Sequence, residues 1–190
     1  MPGSMARQTI RVLERAIDST RIDAIVSGSA SCVATLAQDY LHLFRDDPCL
    51  AACGPSASPQ RVMDFTTFLT KVAALPEGSL ATGERLVVTY HDSCQGMNAL
   101  GLREEPRYLL QGVLGCEVRE LEENTLCCGF GGSFGFDYPE VSRAADERRK
   151  LDNAQATGAP VLVTDNQGCI MHLRGGCDAS GRLAARAPPR

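Results

Sequence analysis

Apolar positions along the chain change period several times, and each change predicts an element. Over residues 5–18 (MARQTIRVLERAID) they recur at helical spacing, with Ile10, Leu13 and Ile17 on one face. The run DAIVSG (23–28) is short, apolar and closed by Gly28, which predicts a buried strand. Helical spacing returns over 32–44 with Ser31 as N-cap. Residues 46–60 hold three prolines and read as a loop. Residues 61–74 read as an amphipathic helix carrying Val62, Phe65, Phe68 and Leu69. The stretch PEGSLATGE (76–84) reads as a linker and an internal boundary.

Beyond it the pattern is more regular. Strands are predicted at 85–90, 116–121 and 160–165, with helices at 106–114 and 140–158 and another after NQGC. Strands alternating with helices imply βαβ units, an α/β fold and a mostly parallel sheet. A weak internal echo links DAIVSGSASCVATLAQDY (23–40) to APVLVTDNQGCIMHLRGG (159–176): strand, polar turn, cysteine, helix. The organisation expected is an incomplete first lobe over 1–75, a linker over 76–84, a complete second lobe over 85–178 and an irregular tail over 179–190.

Composition narrows the class. With 190 residues, 44% hydrophobic, the chain can bury a core without staples. A net charge of −4 argues against nucleic-acid binding, which needs a basic stripe. No apolar run approaches the roughly 18 residues a membrane span needs, and the start MPGSMARQTI has no apolar signal core, so a cytoplasmic protein is expected.

The nine cysteines change the picture. Without a signal sequence an odd number does not make a disulfide framework. Cys116, Cys49, Cys53 and Cys177 read as small buried hydrophobes. The other thiols fall where strands end: Cys94 after 85–90, Cys127 and Cys128 after 116–121, Cys169 after 160–165, and Cys32 after the first-lobe strand. In parallel sheets ligands sit outside the carboxyl ends of the strands. Thirty-two residues separate Cys94 from Cys127, and 40 separate Cys128 from Cys169, which leaves room for crossovers. Four converging thiolates fit an iron–sulfur cluster or a tetrahedral zinc ion. The dispersal of the ligands favours the cluster, since structural zinc sites usually take close C-x₂-C pairs. Gly129, Gly131, Gly132 and Gly135 can turn the backbone and aim N–H groups at sulfur. They do not make a dinucleotide loop, because position 134 is Phe where G-x-G-x-x-G needs glycine. His91 is expected to pack at the strand end, or to act as a donor near the cluster. His172, three residues after Cys169, could replace cysteine as a ligand on iron, but is expected half-exposed on the first turn of a helix. Arg103, Arg107 and Lys150 are expected on a solvated face.

YHDSC (90–94), CCGFGGSF (127–134) and DNQGCIMHLRGG (165–176), in that order, resemble the cysteine-rich CCG domain of iron–sulfur oxidoreductases. That family includes the iron–sulfur subunits of heterodisulfide reductase and glycolate oxidase. The resemblance implies two CCG repeats, with Cys94, Cys127, Cys128 and Cys169 holding one [4Fe–4S] cluster. Cys32 would be a first-repeat ligand, in a repeat that lacks its opening strand and its own double cysteine. Ser93 stands where the family has proline, which is expected to matter little. The function implied is electron transfer as one subunit of a lactate or other 2-hydroxy-acid dehydrogenase complex, not catalysis alone. Alternatives are a zinc-stabilised structural module of that complex, or a thiol–disulfide component.

Overall fold

A computed structural model describes residues 2–20, 22–47, 61–81 and 83–181. The element order is helix α1 (Pro2–Thr20), strand β1 (Ile25–Ser27), helix α2 (30–43), strand β2 (Val62–Asp64) and helix α3 (65–72). Strand β3 (Val87–His91), helices α4 (Cys94–Asn98) and α5 (105–113), and strand β4 (Glu117–Val118) follow. The chain continues with α6 (Phe134–Asp137), α7 (139–156), β5 (Val161–Thr164) and α8 (Gln167–Ser180). Cys49, Cys53 and most of the loop expected over 46–60 lie outside the described residues, as does the tail from 182.

The mixed α/β reading holds. β4, β3 and β5 form a parallel sheet with β3 central, in the register Val87↔Glu117 and His91↔Thr164. β1 and β2 form a second parallel pair, Ile25↔Val62 to Ser27↔Asp64. β2 corrects the reading of 61–74 as one helix. Its helical spacing is real from Phe65 onward, but Val62–Asp64 pair with β1, and tertiary pairing overrides local periodicity there. β1 is half-exposed rather than buried, with Val26 open to solvent. The helix after it starts at Ala30 behind Ser29, and no side-chain cap bond forms, so Ser31 is not its N-cap.

Alternation along the central strand divides the core. Val88 and Tyr90 pack with Leu110, Leu114, Val118, Val161 and Val163 on the α5 face. Thr89 and His91 turn to the other face with Leu162, where Cys128, Leu151, Cys169, Leu173 and Cys177 cluster between α7 and α8. Cys177 is buried as expected, and Cys116 is half-buried against the first of these cores. α1 folds back on α2 through Ala6, Ile10 and Phe44.

The two sheets meet near their carboxyl ends. The Ala30 amide donates to Asp165 O (3.4 Å) and Gln38 Nε2 to Ala99 O (2.5 Å). Lys71 pairs with Glu105 at 2.7 Å, holding that carboxylate below its ordinary range. A cavity of about 190 Å³ opens between the sheets, lined by Ser27, Asp64, Tyr90 and Asp165 among others. At this seam Asp64 caps α3, accepting from Thr67 N (2.8 Å) and Thr67 Oγ1 (2.5 Å). Replacing Asp64 by Ala is expected to cost about 1–2 kcal/mol, read as a lower urea midpoint, with Asp64→Asn closer to the parent chain.

Candidate metal centre

The site begins with strand geometry. β3 ends in His91, and two residues on Ser93 caps α4 by accepting from the Gly96 amide (3.1 Å), so that Cys94 is the first helical residue. The same hydroxyl donates to Asp165 Oδ1 at 2.6 Å, tying the loop after β3 to the loop after β5. Ser93 therefore matters, against expectation: proline could make neither bond. Gly96 passes so close to Asp165 that a Cβ there would lie 2.8 Å from Oδ2.

The four thiols come together as a string. Cys128 Sγ donates to Cys169 Sγ at 3.2 Å, and Cys127 lies near enough to Cys94 and to Cys128 to shift the ionisation of both. Cys94 and Cys127 are half-buried, while Cys128 and Cys169 are buried, so one end of the string is open and the other enclosed. No disulfide forms among the described cysteines. Burial, followed by the charge and hydrogen bond of Cys127, raises the Cys94 thiol. For Cys128 the hydrogen bond from Cys127 pulls downward, but the bond to Cys169 and burial prevail and push it up to about 12. Without a metal these are protonated thiols, and a cation would have to displace their protons.

The enclosed end holds His91. Its ring is 0% exposed, and neither Nδ1 nor Nε2 has a hydrogen-bond partner among the described residues. A ligand atom of His91 lies within 4.8 Å of the Cys128 and Cys169 sulfurs. Burial, with the Lys150 charge added, lowers its pKa to about 3, so the imidazole is neutral and both lone-pair and N–H sites are available.

The double-cysteine turn is shaped by one glycine above all. Gly129 has φ +94, and a Cβ on it would stand 2.7 Å from Ser142 O and 3.3 Å from His172 Nε2. Its amide reaches Cys127 Sγ at 3.3 Å, and the Phe130 backbone lowers the Cys128 thiol's pKa against its other surroundings. Gly131 and Gly132 turn the exposed side of the loop, and the Gly135 amide goes to Phe130 O (2.8 Å). Behind the turn, Ser142 Oγ donates to Gly129 O (2.8 Å) and lies 3.1 Å from His172 Nε2, which is also 3.1 Å from Glu147 Oε2. His172 is thus more enclosed than expected and sits on the second turn of α8.

A polar lattice joins the cysteine loops from below. Arg107 donates to both carboxylate oxygens of Asp92 (3.1 and 2.9 Å) and to Glu120. Asn124 accepts from the Asp92 amide and donates to Tyr90 O and Asp92 Oδ2. Lys150, 1% exposed, donates to Glu123 O (3.2 Å) and Asn124 O (2.9 Å). The expectation of a solvated face therefore fails for Lys150 and Arg107, though Arg103 is exposed. The polar spacing around α7 hid Lys150, because its stem crosses the core while its head meets two carbonyls of a loop remote in sequence. Cys32, the third residue of α2 as Cys169 is of α8, is exposed and stands outside the His91–Cys128–Cys169 group.

Residues 88–174 match the cysteine-rich domain family CCG. Over 160 residues the chain is 36% identical to lactate utilization protein A of Bacillus thuringiensis (strain Al Hakam) and of Bacillus cereus (strain AH187). It is equally similar to lactate utilization protein A 2 of Bacillus anthracis (strain CDC 684 / NRRL 3495). Each match covers 83% of this chain and 64% of the relative, so the chain spans just under two thirds of their length. No described helix is long and apolar enough to cross a membrane.

Two substitutions test the scaffold of the site. Gly129→Ala is expected to destabilise the chain by about 2–4 kcal/mol, seen as a lower thermal midpoint. Lys150→Met keeps the apolar stem but takes the donor from two part-buried carbonyls, and should cost about 1–3 kcal/mol in urea unfolding.

Proposed function

We propose, for a chain whose residues 88–174 belong to the cysteine-rich CCG family, that it is an iron–sulfur electron-transfer component of a lactate- or 2-hydroxy-acid-oxidising complex. The observation that carries this reading is the unbroken string Cys94–Cys127–Cys128–Cys169, assembled from three strand ends. The donor set fits an iron–sulfur group: four thiols, no competing disulfide among the described residues, and backbone amides on two of the sulfurs. Bound there, a [4Fe–4S] cluster would supply one-electron redox chemistry. The residues do the rest. The Gly129 and Phe130 amides offset negative charge on sulfur, and the buried Lys150 ammonium adds a positive charge on the His91 side. Cys94 and Cys127, half-open, give electrons a short way in, whereas Cys128 and Cys169 keep water from the other side. Oxidation of the hydroxy acid and contact with the other subunits would fall to partner proteins.

The relatives named for lactate utilization support the choice of lactate. A thiol–disulfide role is less well supported, since burial and neighbouring thiols push Cys94 and Cys128 upward, away from the low range a reactive thiolate needs.

Anaerobic reconstitution with iron and sulfide tests the reading. It is expected to yield broad visible absorbance and about four iron atoms per chain, both reduced strongly in Cys128→Ser. A colourless product, or a C128S chain indistinguishable from the parent, would sink it.

A further inference from the structure

The cavity of about 190 Å³ between the sheets lies where their strands end. Ser27 and Asp64 close β1 and β2 on one side of it, and Tyr90, Thr164 and Asp165 come from the ends of β3 and β5 on the other. The crevice beyond the carboxyl ends of parallel strands is where α/β proteins hold ligands. Leu109, Leu110, Val163 and Ile170 give it an apolar wall. At about 30 Å³ per water-sized group, the space admits roughly six non-hydrogen atoms.

Its charge is one-sided. Asp64 and Asp165 line the cavity, and among the described residues no lysine, arginine or histidine does. The donors that meet the two carboxylates are neutral: Asp64 accepts from the Thr67 amide and hydroxyl, and Asp165 Oδ1 from the Ser93 hydroxyl. Nearby cations are already engaged. Arg107, over the Tyr90 ring, is held by Asp92 and Glu120, and Lys71 is held by Glu105. Asp165 Oδ2 is buried without a hydrogen-bond partner among the described residues; the Tyr90 hydroxyl affects its ionisation but stands outside hydrogen-bonding geometry with it. Buried acceptors are ordinarily satisfied. Burial raises the Asp165 carboxyl above its ordinary range, and the charge of Asp64 adds to the rise. A cation close to both carboxylates would favour their charged forms.

We propose that this cavity binds a small amphiphilic cation, a primary alkylammonium of about six non-hydrogen atoms. The ammonium donates to Asp165 and faces Asp64, and the alkyl chain lies along Leu109, Leu110, Val163 and Ile170. A primary ammonium carries three donors and no acceptor, which suits a wall with an acceptor left over. Lactate is of similar size, but its carboxylate would meet two others with no cation on the wall, so this is not the site of the hydroxy acid. The proposal is independent of what the cysteines hold. Asp165 also receives the Ser93 hydroxyl at 2.6 Å, at the cap of the helix that begins with Cys94. An occupant that engages Asp165 therefore reaches the loop of that cysteine through one hydrogen bond.

The test titrates the full chain, reduced and at constant ionic strength, with pentylammonium chloride, 1-pentanol and sodium lactate, followed by amide NMR. Pentylammonium is expected to bind saturably and to shift residues 27–28, 64–66 and 163–167. The neutral isostere 1-pentanol should bind about 10-fold more weakly or worse, and lactate should neither bind there nor compete. Shifts that do not saturate or fall elsewhere, equal affinity for 1-pentanol, or displacement by lactate overturn the proposal. Asp165→Asn keeps an acceptor for Ser93, and Asp64→Asn keeps the cap of α3, yet each removes a charge. Each should weaken pentylammonium binding by about 10-fold and leave 1-pentanol unchanged; parent-like affinity in either variant overturns it. Should these variants fail to fold, Ile170→Trp alters neither carboxylate and sits at the rim, where Ile170 is 41% exposed. It should abolish pentylammonium binding by filling the cavity, and binding retained there counts against the site. The two readings separate cleanly. A chain that forms no cluster yet binds pentylammonium loses electron transfer alone, and one that forms a cluster and ignores the amine loses only the cavity.

Discussion

Parallel pairing of β4, β3 and β5 is the constraint on which everything else rests. Strands that run the same way end at the same edge, so whatever follows them is delivered to one rim. Each parallel connection needs a crossover, and the crossovers fill the gaps between Cys94, Cys127 and Cys169. The wide sequence separation of the thiols and their spatial closeness are two consequences of the same topology. An antiparallel meander would have sent alternate strand ends to opposite edges.

Bringing loops to one rim creates a second problem, since loops carry backbone groups that need partners away from water. Here a small number of side chains meet that need. Asn124 serves Tyr90 O and the Asp92 amide, Lys150 serves two carbonyls of the turn before the double cysteine, and Ser93 bridges to Asp165. Arg107 clamps Asp92 through both carboxylate oxygens. On the strands themselves the side chains are less well served: both ring nitrogens of His91 and the hydroxyls of Thr89 and Thr164 are buried with no hydrogen-bond partner among the described residues.

The first sheet repeats part of this plan. β1–α2 and β5–α8 share strand, turn and helix, with Cys32 and Cys169 at the same helical position. The environments differ: Cys169 is enclosed by α7 and the CCG turn, while Cys32 faces solvent. Similar local structure thus leads to different chemistry, because the neighbours that would enclose a ligand come from other segments. The seam between the sheets, with Asp64 and Asp165 around a small cavity, is where the two halves of the plan meet.

The sequence by itself determined the α/β class, the three strand ends of the second sheet and the four thiols that follow them, because periodicity and glycine placement are local signals. It also marked Gly129, whose φ and tight packing against Ser142 O only glycine tolerates. Strand β2 escaped it, since Val62–Asp64 become a strand only through pairing with β1. So did the burial of Lys150, the bridging role of Ser93 and the proximity of His91 to Cys128 and Cys169. Those were decided by tertiary structure, for one physical reason. Each depends on which groups arrive from segments tens of residues away, and one-dimensional spacing does not carry that information.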